Sequence, residues 1–263
     1  MRLAVTFAPA EGVLRLPWNY PEQLQALVYR WIRIADEQLA RILHDQGYGY
    51  GVRRYKLFVY SLLHGEQSKG EREGLRLSGR IRWWIASPRS ELIEALAVGL
   101  LRLDEVLLAK NRLRVEQVHV EPIAEFTDSR AYFRTLSPVV VSTVTERQGR
   151  REKKFLSIEE PDFQRVLGEN LCRKAALLGI RAEPQVEFEP VRMRSRLFCL
   201  HGIFVRGWEG WFWLRASPEL LRVGYETGLG ERNGQGFGMV ALVHDQGRKR
   251  SAAAVDPQGR MHD

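Results

Sequence analysis

Residues 224–239 read GYETGLGERNGQGFGM, and six of the first fifteen positions are glycine. Glycine tolerates positive φ angles and lets another backbone or a phosphate approach closely. The segment is therefore predicted to be a loop shaped by contact with something outside it. A glycine-rich connection that only closes a tight turn explains the same cluster equally well.

The commoner phosphate-binding loops do not fit this segment. A Walker loop ends in Gly-Lys-Ser or Gly-Lys-Thr, and the segment contains neither. The dinucleotide-binding fingerprint requires glycine at its first, third and sixth positions directly after a strand. Counted from Gly228, the sixth position is Asn233, and the preceding residues have the pattern of a helix. The loop gives no indication of a nucleotide cofactor, and no cofactor is predicted.

The charge balance indicates the class of partner. The 263 residues include 40 Lys and Arg against 32 Asp and Glu, a formal net charge of +8, and the pI is near 9.7. Such a balance suits a polyanion. Nucleic acid is predicted rather than a membrane, because the chain opens with neither a long apolar span nor a signal peptide, and a cytoplasmic location is expected. A basic surface typical of thermostable proteins is the alternative.

The spacing of cysteine and histidine argues against a metal centre. Cys172 and Cys199 are the only cysteines, and neither belongs to a Cys-x-x-Cys or Cys-x-x-His motif. The six histidines include no His-x-x-x-His pair. Zinc sites and disulfide frameworks depend on such spacings. Any catalysis is therefore expected to proceed without a tightly bound metal.

Hydrophobic periodicity and turn residues predict the secondary structure of the first half. Strands are expected at residues 2–8, 53–61, 81–86, 106–109 and 113–120, and a polar loop at residues 65–79. Three helices are expected in this half. The first follows a turn at residues 17–21, with Asn19 as its N-cap, and the second spans residues 36–44 before Gly47. The third spans residues 87–101, with Ser87 as its cap. This order is the β-α-β-β-α-β unit of ferredoxin-like domains.

The second half repeats this order. Its predicted elements are a β-branched run at residues 135–144, a helix at 161–178, extended segments at 185–206, a strand at 211–216, a helix at 217–227 and a closing strand at 237–243. WWIASP at residues 83–88 and WFWLRASP at residues 211–218 place the same strand-to-helix junction in both halves. The repeat indicates a degenerate internal duplication.

The predicted fold is therefore α+β, with two tandem ferredoxin-like (RRM-like) domains and a C-terminal glycine-rich loop. The domains are expected at residues 1–123 and 131–245. Residues 246–263 are polar and aperiodic, and are predicted to form a flexible tail.

Several motifs within this predicted fold resemble one known family. They are LQALVYRWI at residues 24–32, LHDQG at 43–47, KLFVYSLL at 56–63, TLSPVVV at 135–141 and LLRVGYETGLGE at 220–231. With the rest of the glycine-rich loop, they resemble the CRISPR-associated repeat-RNA endoribonucleases of the RAMP superfamily, over nearly the whole chain to about residue 245. The resemblance implies an enzyme that cuts precursor CRISPR RNA inside each repeat.

The resemblance also implies a reaction that needs no metal. In that family a ribose 2′-OH attacks the adjacent phosphate, which leaves a 2′,3′-cyclic phosphate and a 5′-OH. The family motifs correspond here to His44, Tyr29 and Lys56, all in the first predicted domain. An unperturbed histidine titrates near pH 6.5 and can serve as base or acid. A position in the last turn of a helix favours its charged form and so the acid role.

Tyr29 could orient the substrate or act as the base, and Lys56 could stabilise the phosphorane. Without the resemblance, a histidine at a helix end is more often a surface residue, a tyrosine at the edge of an apolar stripe is more often packing, and a lysine at a strand entry is more often solvated. The acid and the base stay unassigned at this stage.

RNA contacts are predicted at three places. Arg192, Arg194 and Arg196 alternate along an expected strand, so they project from one face and could follow a phosphate backbone. The insertion at residues 48–54 adds Arg53 and Arg54 beside Lys56. Backbone N–H groups and side chains of the glycine-rich loop could cradle phosphates. The predicted RNA-binding residues of the loop are Gly228, Gly230, Arg232, Asn233, Gln235, Gly236 and Gly238.

Three functional hypotheses remain open from the sequence. The first is a metal-independent endoribonuclease specific for CRISPR repeat RNA. The second is a non-catalytic RAMP subunit that holds guide RNA in a CRISPR effector complex. The third is a duplicated ferredoxin-like protein with an unrelated ligand. The aromatic residues from Trp208 to Trp213 are compatible with a homodimer interface, although the core of the second domain explains them equally well.

Overall fold

The computed structural model describes residues 1–103, 105–147 and 149–243 of the chain. The predicted tail at residues 246–263 lies outside these ranges. The described residues form an α+β protein with two ferredoxin-like halves, as predicted. Within the described ranges, no helix is both long enough and apolar enough to cross a membrane.

The first half is built on one antiparallel sheet with α-helices packed against it. Its elements are β1 (Arg2–Pro9), β2 (Val13–Pro17), α1 (Tyr20–Ala35), α2 (Glu37–Arg41), β3 (Tyr48–Tyr50), β4 (Arg53–Tyr55), β5 (Val59–Tyr60), β6 (His64–Gly70), β7 (Gly74–Ala86), α3 (Ser90–Leu101), β8 (Val106–Leu108) and β9 (Asn111–Glu121). The strand order is β2-β7-β1-β9-β8, and β5 and β6 also pair with β7. Leu3, Val5 and Phe7 alternate along β1 and are buried in the core with α1.

The second half repeats the arrangement with a four-stranded antiparallel sheet. Its elements are β10 (Arg130–Thr135), β11 (Ser142–Arg147), β12 (Arg150–Phe155), α4 (Pro161–Leu177), β13 (Glu187–Leu200), β14 (Ile203–Arg215), α5 (Pro218–Thr227) and β15 (Val240–Leu242). The strand order is β13-β14-β10-β15, and β11 pairs with β12 in a separate hairpin. Strand β10 occupies the central position that β1 occupies in the first sheet, which supports the predicted duplication.

The glycine-rich loop follows α5 and packs against the first half. A Cβ atom at Gly236 would lie 2.6 Å from Cε2 of Tyr60, and one at Gly234 would lie 3.3 Å from Cζ of Phe58. Gly236 also has a φ of +84°, so both the space and the backbone require glycine there. Val59 and Met239 belong to a buried cluster that joins the halves. The loop therefore lies at the contact between the two halves.

Two predicted elements of the first half were wrong. Residues 65–79 are not a loop, because most of them belong to the hairpin of β6 and β7, whose exposed polar face hides the strand signal. The expected strand at residues 53–61 is divided into β4 and β5 by a break at Leu57, which has a φ of +51°. Strand β2 was not predicted.

The helix starts also differ from the predicted ones. Helix α3 begins at Ser90, and the Ser87 hydroxyl accepts a hydrogen bond from the Arg89 N–H but does not cap the helix. Asn19 precedes α1 as expected, but its side chain makes no capping hydrogen bond. Ser217 does cap α5, since its hydroxyl accepts from the Leu220 N–H at 3.3 Å.

The β-branched run at residues 135–144 is not one strand. Strand β10 ends at Thr135, and β11 begins only at Ser142. In between, Val139 and Val140 form isolated bridges to Trp208 and Gly230. The run therefore connects the second sheet to the glycine-rich loop.

Candidate active site and RNA interface

The turn that carries His44 has an unusual backbone. Helix α2 continues into one turn of π-helix at Ile42–Gln46, which ends where the Gly47 N–H donates to the Ile42 carbonyl at 2.9 Å. Gly47 has a φ of +60°, and a Cβ atom there would lie 2.8 Å from the Tyr55 carbonyl oxygen. Single π turns are frequent at functional sites. The turn leaves the His44 side chain 73% exposed to solvent.

Tyr29 lies against His44 across the gap between α1 and the π turn. The ring centroids are 5.6 Å apart and the planes meet at 79°. On its other side the Tyr29 ring contacts Phe58, with centroids 6.1 Å apart. Burial raises the pKa of Tyr29 to about 12. The phenol is therefore neutral at physiological pH and can donate a hydrogen bond.

His44 also has a carboxylate neighbour. Its Nδ1 atom lies 2.8 Å from Oδ1 of Asp45, whose side chain is 59% exposed. A carboxylate in this position accepts a hydrogen bond from Nδ1–H and leaves Nε2 for another partner. Asp45 was not among the residues predicted from the sequence, although it directly follows the predicted histidine.

Lys56 reaches the π turn from the segment between β4 and β5. Its ammonium group donates to the carbonyl of His44 at 2.8 Å and also to the carbonyl of Leu43. Partial burial lowers the pKa of Lys56, while the carboxylate of Asp45 acts in the opposite direction. An ammonium group has three donors. Two of them hold the backbone beneath His44, and the third has no partner among the described residues.

Two cavities meet at Tyr29. The first, here called the histidine pocket, has a volume of about 300 Å³ and is lined by Tyr29, His44 and Asp45 together with arginines of α1 and α2. The second, here called the loop pocket, has a volume of about 260 Å³ and lies between the glycine-rich loop, α4 and the segment with Lys56. Tyr29 lines both, so the three predicted catalytic residues line two pockets that share the Tyr29 side chain.

The glycine-rich loop is folded around a buried lysine of α4. The ammonium group of Lys174 donates to the carbonyls of Gly228 and Gly230 at 2.8 Å each, and to Oδ1 of Asn233 at 2.7 Å. Burial lowers the pKa of Lys174 to about 7, with the charge of Arg173 acting in the same direction. Lys174 was not predicted from the sequence, although a lysine within the apolar pattern of helix 161–178 was a signal for it.

Five of the predicted RNA-binding residues are buried in this arrangement. They are Gly228, Gly230, Asn233, Gly236 and Gly238. The Asn233 side chain donates to the carbonyls of Leu229 and Phe237, which closes the loop on itself. These residues shape the loop from inside, and direct RNA contact by them stays a prediction.

Other predicted RNA-binding residues line the loop pocket. Arg232, which has a φ of +60°, donates from Nη1 to Oε1 of Gln235 at 2.8 Å. Both side chains line the loop pocket, as do Arg54 and Lys56. The structure therefore brings part of the glycine-rich loop next to the proposed catalytic lysine, which the linear sequence does not show.

The arginines of β13 lie in a different place. Arg192, Arg194 and Arg196 line a groove of about 550 Å³ between the two halves, together with Arg134. Glu209 on β14 partly neutralises them, since Nε of Arg194 donates to its carboxylate at 2.8 Å. Because the three arginines alternate along β13, their side chains line the same groove, as expected. None of the three catalytic candidates lines this groove.

The insertion before β5 forms a hairpin of β3 and β4. Its base is held against the second half by the Tyr55 hydroxyl, which accepts from Nε of Arg173 at 3.1 Å. Arg53 and Arg54 are exposed on the hairpin, and Arg54 donates to the carbonyl of Gly51 at 2.9 Å. Tyr50 is also exposed at 43%.

The aromatic residues considered as a homodimer interface have mixed environments. Phe212 is completely buried in the second core. Trp213 stacks on Tyr132 at 4.7 Å, whereas Trp211 is 40% exposed. The core explanation therefore accounts for part of this cluster, and the homodimer stays a prediction.

Within the described ranges, no three His, Cys, Asp or Glu side chains converge closely enough to hold a metal ion.

Family models and known proteins match the chain over most of its length. A model for the N-terminal part of the CRISPR-associated protein Cas6 matches residues 15–119, and a model for its C-terminal part matches residues 120–242. The chain is 30% identical over 271 residues to the CRISPR-associated endoribonuclease Cas6 of Pyrococcus furiosus, covering 98% of this chain and 95% of that protein.

Two further proteins are similar. The chain is 28% identical over 237 residues to the CRISPR-associated endoribonuclease Cas6 1 of Methanocaldococcus jannaschii, covering 89% of this chain and 90% of that protein. Its fold resembles the solved structure of a Cas6-related protein from Pyrococcus furiosus with a TM-score of 0.83 at 21% identity, covering 94% of this chain and 99% of the other.

Proposed function

The chain belongs to the Cas6 family of CRISPR-associated proteins, and we propose on that basis that it is an endoribonuclease that cleaves precursor CRISPR RNA within its repeats. The observation that carries the proposal is the placement of Tyr29 between His44 and the pocket that contains Lys56. Two relatives that are named CRISPR-associated endoribonucleases support it.

The proposed reaction is a transesterification within the RNA and requires no metal ion. The ribose 2′-oxygen attacks the adjacent phosphorus, and the bond from phosphorus to the 5′-oxygen breaks. The proton of the 2′-OH passes to a base, and the departing 5′-oxygen receives a proton from an acid. The products are a 2′,3′-cyclic phosphate and a 5′-OH.

The geometry supports a division of roles. His44 is the base, because Nδ1 faces Asp45 and Nε2 is left to take the 2′-OH proton. Tyr29 is poorly suited to that role, since a phenol with a pKa of about 12 holds its proton. Tyr29 instead acts as the acid and donates its proton to the departing 5′-oxygen. The third N–H of Lys56 stabilises the negative charge on the phosphorane.

The groove of Arg134, Arg192, Arg194 and Arg196 is proposed to hold the repeat backbone away from the cleavage site. Cationic side chains bind phosphates with a strong dependence on salt. The ion pair of Arg194 with Glu209 would be exchanged for a phosphate contact on binding. Replacing Arg192 by Ala is expected to weaken binding while leaving the cleavage rate of bound RNA unchanged.

The decisive experiment is cleavage of repeat RNA from the CRISPR arrays of the source genome, in buffer with EDTA. The wild type is expected to cut within the repeat, and mass spectrometry should identify the cyclic phosphate and 5′-OH ends. The His44→Ala variant should bind RNA with similar affinity and cut at least about a hundredfold more slowly, the lower end expected for a general base. His119→Ala, which changes an exposed histidine on β9, is the matched control.

Each alternative has its own outcome in this assay. Tight binding without product from the wild type, in any buffer, would favour a non-catalytic RAMP subunit that holds guide RNA. Cutting that requires a divalent metal would reject metal independence alone. Association with a CRISPR effector complex, homodimer formation and a cytoplasmic location stay predictions.

A further inference from the structure

Three residues that line the loop pocket each have one buried polar atom without a hydrogen-bond partner among the described residues. These atoms are Oδ1 of Asn170 on α4, and Oε1 of Glu231 and Nε of Arg232 in the glycine-rich loop. Oε1 of Glu231 forms an ion pair with Nζ of Lys153 at 2.7 Å, which leaves the atoms of Asn170 and Arg232. Asn170 is only 7% exposed. The nearest carboxylate oxygen to Nε of Arg232, Oε1 of Glu231, lies 3.8 Å away, which is too long for a hydrogen bond. One acceptor and one donor are therefore unsatisfied in side chains that line the same cavity.

The polar groups of Lys174 and Gln235 beside these two atoms are paired. Lys174, one helical turn after Asn170, uses all three donors on the glycine-rich loop. Gln235 accepts from the other end of the Arg232 guanidinium. Leaving a buried polar atom without a partner costs about 1–3 kcal/mol. Such a cost beside a proposed catalytic site suggests that a ligand supplies the missing partners.

The chemistry of these atoms indicates the kind of ligand. Several cations line the pocket, among them Arg54 and Lys56, and would attract any phosphate. An ionised phosphodiester has no hydrogen to donate, so it cannot satisfy Oδ1 of Asn170. A nucleobase presents N–H donors and acceptors on one edge, and carboxamides pair with such edges. The Asn170 carboxamide therefore fits a base better than a backbone phosphate.

The size and walls of the pocket fit one base. Its volume of about 260 Å³ equals the space of about nine water molecules at ~30 Å³ each. That space is large enough for one planar base. Tyr29 supplies aromatic surface in the wall, and unpaired RNA bases are commonly held by such rings.

We propose that the loop pocket binds one unpaired nucleobase of the repeat RNA next to the cleaved phosphate, with Asn170 contacting its hydrogen-bonding edge. This inference rests on the proposed function, because the phosphate beside the pocket is taken to be the one that is cut. Asn170 is a binding and positioning residue. Holding the base beside Tyr29 and Lys56 would align the 2′-oxygen, the phosphorus and the departing oxygen.

The test compares an intact repeat RNA with RNAs that carry an abasic ribose at each nucleotide flanking the cleavage site. All carry a 2′-deoxy sugar at the attacking position, so they are bound but not cut. The wild type is expected to bind the intact RNA at least tenfold more tightly than one of the abasic RNAs. Asn170→Leu, which preserves side-chain volume without polarity, is expected to bind both with the weaker affinity.

The control is Cys172→Ala on the same helix, which should keep the tenfold preference. Asn170→Leu should unfold at a temperature no lower than that of the wild type, because it removes an unsatisfied buried atom. Equal binding of intact and abasic RNA by the wild type would overturn the proposal. A preserved tenfold preference in Asn170→Leu would overturn it as well.

A parallel assay with the 2′-OH restored separates this proposal from the proposed function. Cleavage by the wild type without any dependence on the base would reject the base pocket alone. Base-dependent binding without cleavage would reject the endoribonuclease and retain the pocket. Failure to bind every RNA would reject both.

Discussion

The Nδ1 atom of His44 lies 2.8 Å from Oδ1 of Asp45, the next residue in the chain. Neighbouring side chains rarely face each other on a regular helix, where residues three and four apart are adjacent. Here the π turn at Ile42–Gln46 carries both residues. Both side chains are more than half exposed, so water and salt weaken the pair. Asp45 is therefore expected to increase the activity of His44 as the base only modestly, and RNA cleavage is expected to continue without it.

Asp45→Asn is predicted to lower kcat for RNA cleavage about two- to fivefold, since exposed ion pairs contribute about 0–1 kcal/mol. Asp45→Ala, which removes the acceptor as well as the charge, should lose more. Single-turnover cleavage at low and high salt measures both effects, with Asp36→Asn as a control for charge alone. A loss above a hundredfold in Asp45→Asn would mean that the carboxylate takes a direct part in the reaction.

Tyr29→Phe is predicted to lower kcat about ten- to a hundredfold, the range for loss of one hydrogen bond to a charged group. Because its pKa is about 12, Tyr29 stays protonated across the pH range of the assay. The rate of the wild type should therefore not increase tenfold per pH unit between pH 8 and 10. Such a continued increase, absent in Tyr29→Phe, would identify the tyrosine as the base.

Lys56→Met is predicted to reduce cleavage by a hundredfold or more, because it removes both the charge at the phosphorane and the anchor of the His44 backbone. Lys56→Arg restores the charge but not the geometry of two donors on adjacent carbonyls, so it should recover only part of the rate. Cleavage rates and RNA affinities are measured together. Equal activity of Lys56→Arg and wild type would show that charge alone matters.

Lys174→Met is predicted to destabilise the protein in a manner that depends on pH. The pKa of Lys174 is about 7 in the folded protein against an ordinary value of 10.5. Between these values the unfolded chain binds one more proton than the folded protein, so the free energy of unfolding of the wild type rises with pH across this window. Below pH 7 the lysine is charged in both states and this gain is absent.

The measurement is urea unfolding of both proteins at pH 6 and pH 9. The difference in unfolding free energy between wild type and Lys174→Met should be larger at pH 9. Lys153→Met, which changes a half-exposed lysine paired with Glu231, should show no such change. A pH-independent difference for Lys174→Met would mean that the three acceptors keep the buried ammonium charged throughout.

Part of the site could be predicted because its signals are local. The LHDQG motif and the helix-ending Gly47 locate His44, and the apolar stripe of α1 leaves Tyr29 at its edge. The alternation of Arg192, Arg194 and Arg196 needs only the period of a strand. By contrast, most of the hairpin of β6 and β7 was predicted to be a loop, because exposed strands show little alternation of apolar and polar residues.

The sequence by itself determined the two β-α-β-β-α-β units, their duplication and the family resemblance, because helix periodicity, strand alternation and motifs act over a few residues. Only the tertiary structure decided what the glycine-rich loop does. Its glycines are buried around Lys174, and it closes a pocket with Asn170 and Lys56, residues far apart along the chain. Such a pocket depends on packing between the two halves, and no local pattern encodes which distant side chains that packing brings together.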